Sequence, residues 1–253
     1  MKISIRHRYI KKIPLLEVVL EEKKSDALPL VIYYHGWQSA KELSLTQARK
    51  LARKGIRVIL PDAMNHGERK SGPISSIPSV TFWSSIQYNI IEFVQLVRHF
   101  EKQKLIEDGK IGVGGVSMGG ITTSALLTQH PEISVAACMM GTPAPLRYVE
   151  RVMERSVEMD FFVPQDLPLL LSWVVNYDLS KAPEKLAQRP VLFWHGTDDP
   201  KIPYEDTADF YQMIEAEPYA ENSQFIVGEG EGHLVKGEMM DVVAAFFERE
   251  LKK

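Results

Sequence analysis

The sequence predicts an α/β protein with a mainly parallel central sheet of about eight strands and helices on both faces. Three observations predict it: short apolar runs alternate with stretches of helical periodicity, several of the runs are continuously apolar, and glycine-containing loops follow many of them. Continuous apolar runs are typical of strands covered on both faces. A repeated strand–helix order favours a parallel sheet between two layers of helices.

The strands are predicted from short apolar runs. The first segment alternates apolar and polar residues, and the first two together suit antiparallel strands at a sheet edge. The third is continuously apolar, as expected of a buried strand. The predicted strands cover residues 3–9, 15–20, 30–34, 56–60, 110–114, 134–140, 191–194 and 223–227.

Helices are predicted where apolar residues recur every three or four positions. In residues 81–103, Ile86, Ile90, Val94, Val97 and Phe100 keep this spacing, which predicts a long helix with one buried face. We predict further helices near residues 45–54, 121–130, 147–158, 204–216 and 243–251. Residues 65–78 are predicted to form a loop.

The strand–helix order breaks between residues 143 and 183, which contain no strand-like run. We predict that this segment is a cap inserted over one end of the sheet, so that residues 1–142 and 184–253 form the core. Aromatic side chains of the segment could line an apolar pocket or could pack the cap onto the core. These residues are Phe161, Phe162, Trp173 and Tyr177.

Composition bounds the class of protein. The 253 residues, 45% hydrophobic and 25% charged, suit one large globular domain or a domain with an insertion. The net charge of −3 comes from mixed charges, so the sequence predicts no nucleic-acid partner. Charges interrupt the N-terminal residues and no uncharged run approaches a membrane span, so we expect a cytoplasmic protein without a membrane partner. The one cysteine, Cys138, is predicted to be a buried structural thiol.

The segment 115–119 fits the pattern Gly-x-Ser-x-Gly. This spacing predicts a sharp turn from strand to helix with Ser117 at its apex in a strained conformation. Side chains at positions 115 and 119 would collide with neighbouring backbone, so both are glycine. A dinucleotide-binding loop is a weaker alternative, because Ser117 stands where that loop has its third glycine and no strand with a terminal acid follows at the expected distance.

Three further groups of polar residues follow predicted strands: His35 in the segment 35–37, the segment 195–200, and His233 after the glycine-rich segment 228–232. Ligands of parallel sheets bind beyond the carboxyl ends of the strands, so all of these groups are expected at one rim. With Ser117 they occur in the chain order Ser, Asp, His, the order of hydrolases that use a nucleophile elbow.

These motifs resemble those of the α/β-hydrolase superfamily along nearly the whole chain. The resemblance is closest to small bacterial cytosolic esterases related to dienelactone hydrolases and to the catalytic domains of prolyl-oligopeptidase-like enzymes. It implies that Ser117 is the nucleophile, that His233 is the general base and that Asp199 orients His233. Asp198 competes for the acid role, and the spacing to Pro200 favours Asp199. The motifs lie at residues 35–37, 61–62, 66–69, 115–119, 195–200 and 232–233.

The resemblance further implies an oxyanion hole formed by the backbone N–H groups of Trp37 and Met118. Each such donor is typically worth about 3–4 kcal/mol of the activation barrier. The chain departs from many lipases in that no second glycine closely follows Trp37. The Trp37 side chain is also predicted to line the substrate pocket. For His66 and Arg69 a role in stabilising their loop is expected rather than a chemical one.

The combined prediction is a serine carboxylesterase that acts on short-chain, neutral esters, because the sequence shows no cationic cluster at the pocket. No cofactor is expected, and no metal, because the sequence has no His-x-x-x-His pair or cysteine cluster. Alternatives are a thioesterase, lactonase or small-peptide hydrolase with the same triad, and a non-catalytic binding protein of the same fold. A small-molecule ester is the expected partner. The oligomeric state stays open, a homodimer included.

Overall fold

A computed structural model of the chain describes residues 1–74 and 79–253. Its strands are β1 (Ile3–Ile10), β2 (Ile13–Leu20), β3 (Leu28–Tyr34), β4 (Arg57–Pro61), β5 (Ile106–Val116), β6 (Val135–Met139), β7 (Val191–Gly196) and β8 (Ser223–Gly228). In the described residues they form one eight-stranded sheet in the order β1-β2-β4-β3-β5-β6-β7-β8. Strand β2 pairs antiparallel with β1 and β4, and the remaining pairs are parallel. The predicted fold class is confirmed.

Helices cover both faces of the sheet. They are α1 (Leu45–Arg53), α2 (Val80–Lys102), α3 (Met118–Gln129), α4 (Pro145–Glu158), the single turn α5 (Leu167–Leu170), α6 (Tyr204–Ile214) and α7 (Gly237–Leu251). Buried residues of α2, α3 and α6 pack on one face, and those of α1 and α7 pack on the other. Helix α3 begins three residues before its predicted start, because the chain turns directly from β5 into the helix. The predicted loop 65–78 extends over residues 75–78, which lie outside the described residues.

The parallel register brings the carboxyl ends of the strands to one rim. Tyr34 at the end of β3 pairs with Gly115 near the end of β5. Val116 pairs with the last residue of β6, and the last residues of β7 and β8 pair with each other. The loops after these strands therefore meet above the same edge of the sheet, as expected for a parallel α/β protein.

The segment 143–183 contains α4, α5 and short 3-10 turns, and no strand. Its 3-10 turn Ser172–Tyr177 packs near the C-terminal end of α3, where Gln129 Nε2 donates to the carbonyl oxygen of Asn176 at 2.7 Å. Helix α4 lies instead beside the carboxyl rim of the sheet, where Tyr148 O–H donates to the carbonyl oxygen of Lys201. The division into core and cap stays a prediction.

Two smaller observations bear on the chain as a whole. None of the helices in the described ranges combines the length and the apolarity that a membrane-spanning helix needs. Cys138 lies buried in β6, and burial raises the pKa of its thiol to about 12. Its Sγ accepts a hydrogen bond from Ser124. A thiol of this kind is structural, as the sequence predicted.

Candidate active site

Ser117 stands at the turn between β5 and α3 with φ 57° and ψ −118°, a left-handed conformation that is strained for a non-glycine residue. The turn is possible because its neighbours are glycine. A Cβ atom on Gly115 would lie 2.5 Å from the backbone of Gly119, and one on Gly119 would lie 2.2 Å from the carbonyl oxygen of Tyr34. The strained elbow predicted from the sequence is confirmed.

His233 connects the serine to an acid. Ser117 O–H donates to His233 Nε2 at 2.8 Å, and His233 Nδ1–H donates to Asp199 Oδ2 at 2.6 Å. In this arrangement the ring carries its proton on Nδ1 and offers the Nε2 lone pair to the hydroxyl, the state that a general base requires. The structure therefore brings together the three side chains that the sequence predicted.

The loops that carry the acid and the histidine are bonded to each other. Asp198 N–H donates to the carbonyl oxygen of Glu231 at 3.0 Å, and Gly230 N–H donates to Thr197 Oγ1 at 2.9 Å. A Cβ on Gly196 would lie 2.1 Å from the Glu231 carbonyl oxygen, so glycine permits this close approach. The spacing between acid and base is thus set by backbone contacts.

Asp199, rather than its neighbour, faces the histidine. Its side chain is fully buried, and its Oδ1 accepts from the backbone N–H groups of Lys201 and Ile202 at 2.8 and 3.1 Å. Burial acts to raise the pKa of this carboxyl, but hydrogen bonds from His195 and His233 outweigh it and hold the pKa well below its usual range. Asp198 instead accepts from Thr197 at the surface. The geometry favours Asp199 as the acid.

His195 was not assigned a role from the sequence, yet it contacts the acid. Its Nε2 lies 3.1 Å from Asp199 Oδ2 and 3.0 Å from the carbonyl oxygen of Ile202. Both neighbours are acceptors, so Nε2 carries a proton. Nδ1 lies 3.0 Å from Oγ1 of Thr207. The signal available in the sequence was the position of His195 near the end of a buried strand, four residues before Asp199.

The predicted oxyanion donors belong to two segments at the same rim. Met118 is the first residue of α3, and Trp37 follows β3 in a loop that lines one cavity together with Ser117. The peptide between Gly36 and Trp37 is oriented by His35, whose Nδ1 donates to the Gly36 carbonyl oxygen at 2.8 Å. Burial lowers the pKa of His35 to about 4, so the ring is neutral at neutral pH.

The cavity beside Ser117 has a volume of about 570 Å³. Helix α4 forms much of one wall with residues on one face, spaced by three or four positions. Other walls come from the loop after β3, the start of α2 and the segment after Asp199. Its apolar lining residues include Trp37, Phe82, Tyr148, Val152, Met159 and Ile202. A cavity of this size with mostly apolar walls suits a small organic substrate.

The cap aromatics predicted for the pocket do not line this cavity, and the assignment is corrected. Trp173 and Tyr177 contact each other with ring centroids 5.9 Å apart and pack against the core. Phe161 and Phe162 are 48% and 89% exposed. Only Trp37 of the predicted pocket residues lines the cavity. The physical reason is that the segment after α4 runs towards the far end of α3 instead of back over Ser117.

The expectation of a pocket without cations also needs correction. Arg155 of α4 and Lys201, two residues after the acid, both line the cavity, and both are exposed. They lie 46 positions apart in the sequence, so only the folded structure shows that they share one cavity. No carboxylate is among the lining residues in the described part of the chain. The pocket is therefore apolar at its walls and cationic at its rim.

The fold and the geometry of Ser117, His233 and Asp199 define a serine hydrolase with the α/β-hydrolase fold. Residues 86–253 match the prolyl oligopeptidase family. The "Putative esterase YitV" of Bacillus subtilis (strain 168) is 40% identical over 240 residues, which are 92% of this chain and 93% of that protein. The chain belongs to the prolyl oligopeptidase family.

Two further comparisons agree with this assignment. The "Esterase YjfP" of Escherichia coli (strain K12) is 27% identical over 249 residues, which are 98% of this chain and 100% of that protein. The crystal structure of TT1662 from Thermus thermophilus has a TM-score of 0.79 at 20% identity, and all of both chains is covered, so it shares the fold. The predicted class of enzyme is confirmed: the chain is a serine hydrolase of carboxylic esters.

Proposed function

We propose that the chain is a carboxylesterase that hydrolyses short-chain esters through an acyl-enzyme on Ser117, with His233 as general base and Asp199 as its orienting acid. The observation that carries the proposal is the continuous hydrogen-bonded line from the Ser117 hydroxyl through His233 to Asp199. At its Ser117 end the line faces a cavity wide enough for a small ester. The expected cytoplasmic location remains part of this proposal.

The reaction follows from the positions of these atoms. As Ser117 Oγ attacks the ester carbonyl carbon, its proton passes to His233 Nε2, and the carbonyl oxygen becomes an oxyanion. The N–H groups of Trp37 and Met118 stabilise that charge, together with the N-terminus of α3. His233 then returns the proton to the alcohol as it leaves. Water, deprotonated by His233, then attacks the acyl-enzyme, the bond from the acyl carbon to Ser117 Oγ breaks, and His233 returns the proton to Ser117 as the acid leaves.

The ionised carboxylate of Asp199 acts through the imidazole of His233. It holds Nδ1–H, which leaves Nε2 as the acceptor, and it stabilises the imidazolium that forms during attack. The lowered pKa of Asp199 keeps the carboxylate ionised at neutral pH. The acid therefore needs no protonation change during turnover.

The lining of the cavity supports short acyl or alcohol groups. Phe82 of α2 and Tyr148 and Val152 of α4 line it with bulky side chains, which limit the space for a long chain. We therefore expect kcat/KM to fall once the acyl chain exceeds about eight carbons, the scale of a cavity for small ligands.

The test is hydrolysis of a series of nitrophenyl esters with two to sixteen acyl carbons. Wild type is expected to act best on the short members, and Ser117→Ala is expected to lose at least 10⁴-fold of kcat. Ser172→Ala, at an exposed serine of the same chain, serves as the matched control and should behave as wild type. Hydrolysis that persists in Ser117→Ala would contradict the proposed nucleophile.

The family match gives a reason to test amides as well, because it is named for an oligopeptidase. A panel of thioesters, lactones and aminoacyl amides under the same conditions ranks these alternatives by kcat/KM. Labelling with a fluorophosphonate probe separates an active serine from a non-catalytic site of the same fold. If no ester is hydrolysed and the probe does not label Ser117, the carboxylesterase proposal fails.

A further inference from the structure

His66 lies in the loop after β4, fully buried, and its two ring nitrogens have different neighbours. Nδ1 lies 2.9 Å from the carbonyl oxygen of Met64, which only accepts, so Nδ1 carries the proton. Nε2 lies 3.1 Å from the backbone nitrogen of Gln38 and accepts its N–H. Only the neutral tautomer with Nδ1–H satisfies both contacts. Burial lowers the pKa of His66, which favours this neutral state.

The hydrogen bond to His66 comes from Gln38, which directly follows Trp37, the predicted oxyanion donor. Gln38 has φ 58°, a left-handed conformation that a non-glycine residue holds only when its surroundings impose it. The indole of Trp37 also packs edge-on against the His66 ring, with centroids 4.8 Å apart, and against Phe82 at 5.2 Å. His66 therefore touches this loop twice, once at the main chain and once at the indole.

The other end of the same loop is fixed independently. His35 Nδ1 donates to the Gly36 carbonyl oxygen, while its Nε2 accepts from the N–H of Ala63 at 3.0 Å. The Gly36 carbonyl and the Trp37 N–H belong to one planar trans peptide, so the direction of one sets the direction of the other. With this end held by His35, the bond from Gln38 to His66 holds the loop on the other side of Trp37.

The loop that presents His66, residues 62–69, is itself held firmly. The carboxylate of Asp62 accepts from Lys41, from its backbone N–H at 3.0 Å and from its Nζ at 2.7 Å. A Cβ on Gly67 would lie 2.1 Å from Asp62 Oδ1, and Gly67 has φ 50°. Arg69 forms a bidentate pair with Glu92 of α2, with both distances 2.7 Å. The acceptor nitrogen of His66 is thus preorganised.

We infer that His66 is a positioning residue of the oxyanion hole: its Nε2 holds the Gln38 N–H and thereby fixes the Trp37 peptide against the reacting carbonyl. The inference rests on the proposed function, because it takes the Trp37 N–H as a donor to the oxyanion. It goes beyond the loop-stabilising role expected from the sequence, because it assigns the effect to one acceptor atom. His66 itself does not touch substrate.

Two substitutions distinguish the effect of the acceptor atom of His66 from the effect of its aromatic ring. His66→Gln places an amide oxygen near the position of Nε2, so it keeps an acceptor for Gln38 and loses the ring that packs on Trp37. His66→Phe keeps an aromatic ring and loses the acceptor, which leaves the Gln38 N–H facing carbon. A role in packing alone predicts that His66→Phe is the milder change. A positioning role predicts the opposite.

We expect His66→Phe to lower kcat for a short nitrophenyl ester about 30–100-fold, with KM changed less than threefold. We expect His66→Gln to lower kcat less than about fivefold. Removal of an oxyanion donor typically lowers kcat by about 10²–10³. The loss expected for His66→Phe is smaller, because the donor is displaced and not deleted. Binding of a trifluoromethyl ketone, which forms the oxyanion with Ser117, should weaken in parallel with kcat/KM.

His130→Phe is the matched control, since His130 follows the far end of α3, about 20 Å along the helix from Ser117. It should leave kcat unchanged. The inference is overturned if His66→Phe keeps wild-type kcat, or if His66→Gln is the more impaired variant while both melt within a few degrees of wild type. If wild type shows no Ser117-dependent hydrolysis at all, the proposed function has failed instead.

Discussion

The buried imidazole of His195 donates from Nε2 to Oδ2 of Asp199, the same oxygen that accepts from the His233 ring. The other carboxylate oxygen is occupied by the backbone N–H groups of Lys201 and Ile202. Each oxygen of Asp199 thus has a fixed set of donors, and the carboxylate has one orientation. An amide at this position has only one acceptor oxygen, so it could not accept hydrogen bonds from all of these donors. Replacement of one oxygen atom by NH₂ is therefore expected to disturb the site.

Asp199→Asn is expected to lower kcat about 10⁴-fold with the fold intact. The amide oxygen would stay with the two backbone donors, so its NH₂ would point at His233 Nδ1. The ring would then carry its proton on Nε2, the wrong nitrogen for a base. Asp198→Asn, at the exposed neighbour, should turn over within threefold of wild type. Steady-state kinetics of both variants decide the assignment, and the reverse pattern would transfer the acid role to Asp198.

Gly119→Ala tests the close packing of the elbow. Its Cβ would lie 2.2 Å from the Tyr34 carbonyl oxygen, which is backbone and has no room to move. We expect the free energy of unfolding to fall by about 3 kcal/mol, the upper end for an overpacked core. Urea titration followed by circular dichroism measures it. Gly237→Ala is the control: a Cβ there meets nothing within 4 Å, so stability should change by less than about 1 kcal/mol.

His35 should make the protein less stable in acid. Its pKa is lowered by burial from 6.5 to about 4, so the unfolded chain binds this proton more tightly than the folded chain does. Stability from this group is complete above pH 6.5 and is lost as the pH falls towards 4. The loss between pH 7 and 4 amounts to about 3 kcal/mol at 1.36 kcal/mol for each unit of pKa. Urea unfolding at several pH values measures it.

The comparison variant is His35→Asn, which lacks a titrating group in this range. Its stability should depend less steeply on pH between 6.5 and 4 than that of wild type, whatever its stability at pH 7. The lowered pKa values of His66 and His99 act in the same direction, and they are common to both proteins. Equal slopes in the two proteins would show that His35 is not buried in the neutral form.

The wall of the cavity predicts a change in chain-length preference. Val152→Trp should fill space beside Tyr148, and we expect it to raise KM for an octanoate ester at least tenfold while acetate ester kinetics stay within threefold. Phe162→Ala, at an 89% exposed side chain, should leave both substrates unchanged. An effect of Phe162→Ala comparable with that of Val152→Trp would restore the cap aromatics as pocket residues.

The strands and the rim residues were predictable because their signals are local. Continuous apolar runs predicted the buried strands, and the glycines beside Ser117 predicted the elbow. Ser117, Asp199 and His233 were predicted to lie at one rim because each follows a predicted strand, and the carboxyl ends of parallel strands share that edge. Strand β5 extends beyond its predicted bounds at both ends, and at its start the polar residues Glu107 and Asp108 interrupt the apolar pattern.

The pocket and the supporting histidines were not predictable in the same way. In the irregular segment after α4, no periodicity indicates where side chains point, so Trp173 and Phe162 could not be placed. The contact between His66 and Gln38 spans 28 residues and depends on which ring nitrogen carries the proton. Side-chain direction and tautomer come from three-dimensional contacts, and the sequence pattern carries neither.

Helix α4, which supplies much of the cavity wall, enters the chain between β6 and β7 and contributes none of the Ser117, His233 and Asp199 side chains. Much of the cavity wall therefore lies on a stretch of polypeptide separate from the reactive side chains. Library mutagenesis confined to the cavity-facing positions of this helix would change the substrate preference and leave the catalytic side chains as they are. Natural selection can act on the same positions, so orthologues that share every reactive group can differ in substrate specificity.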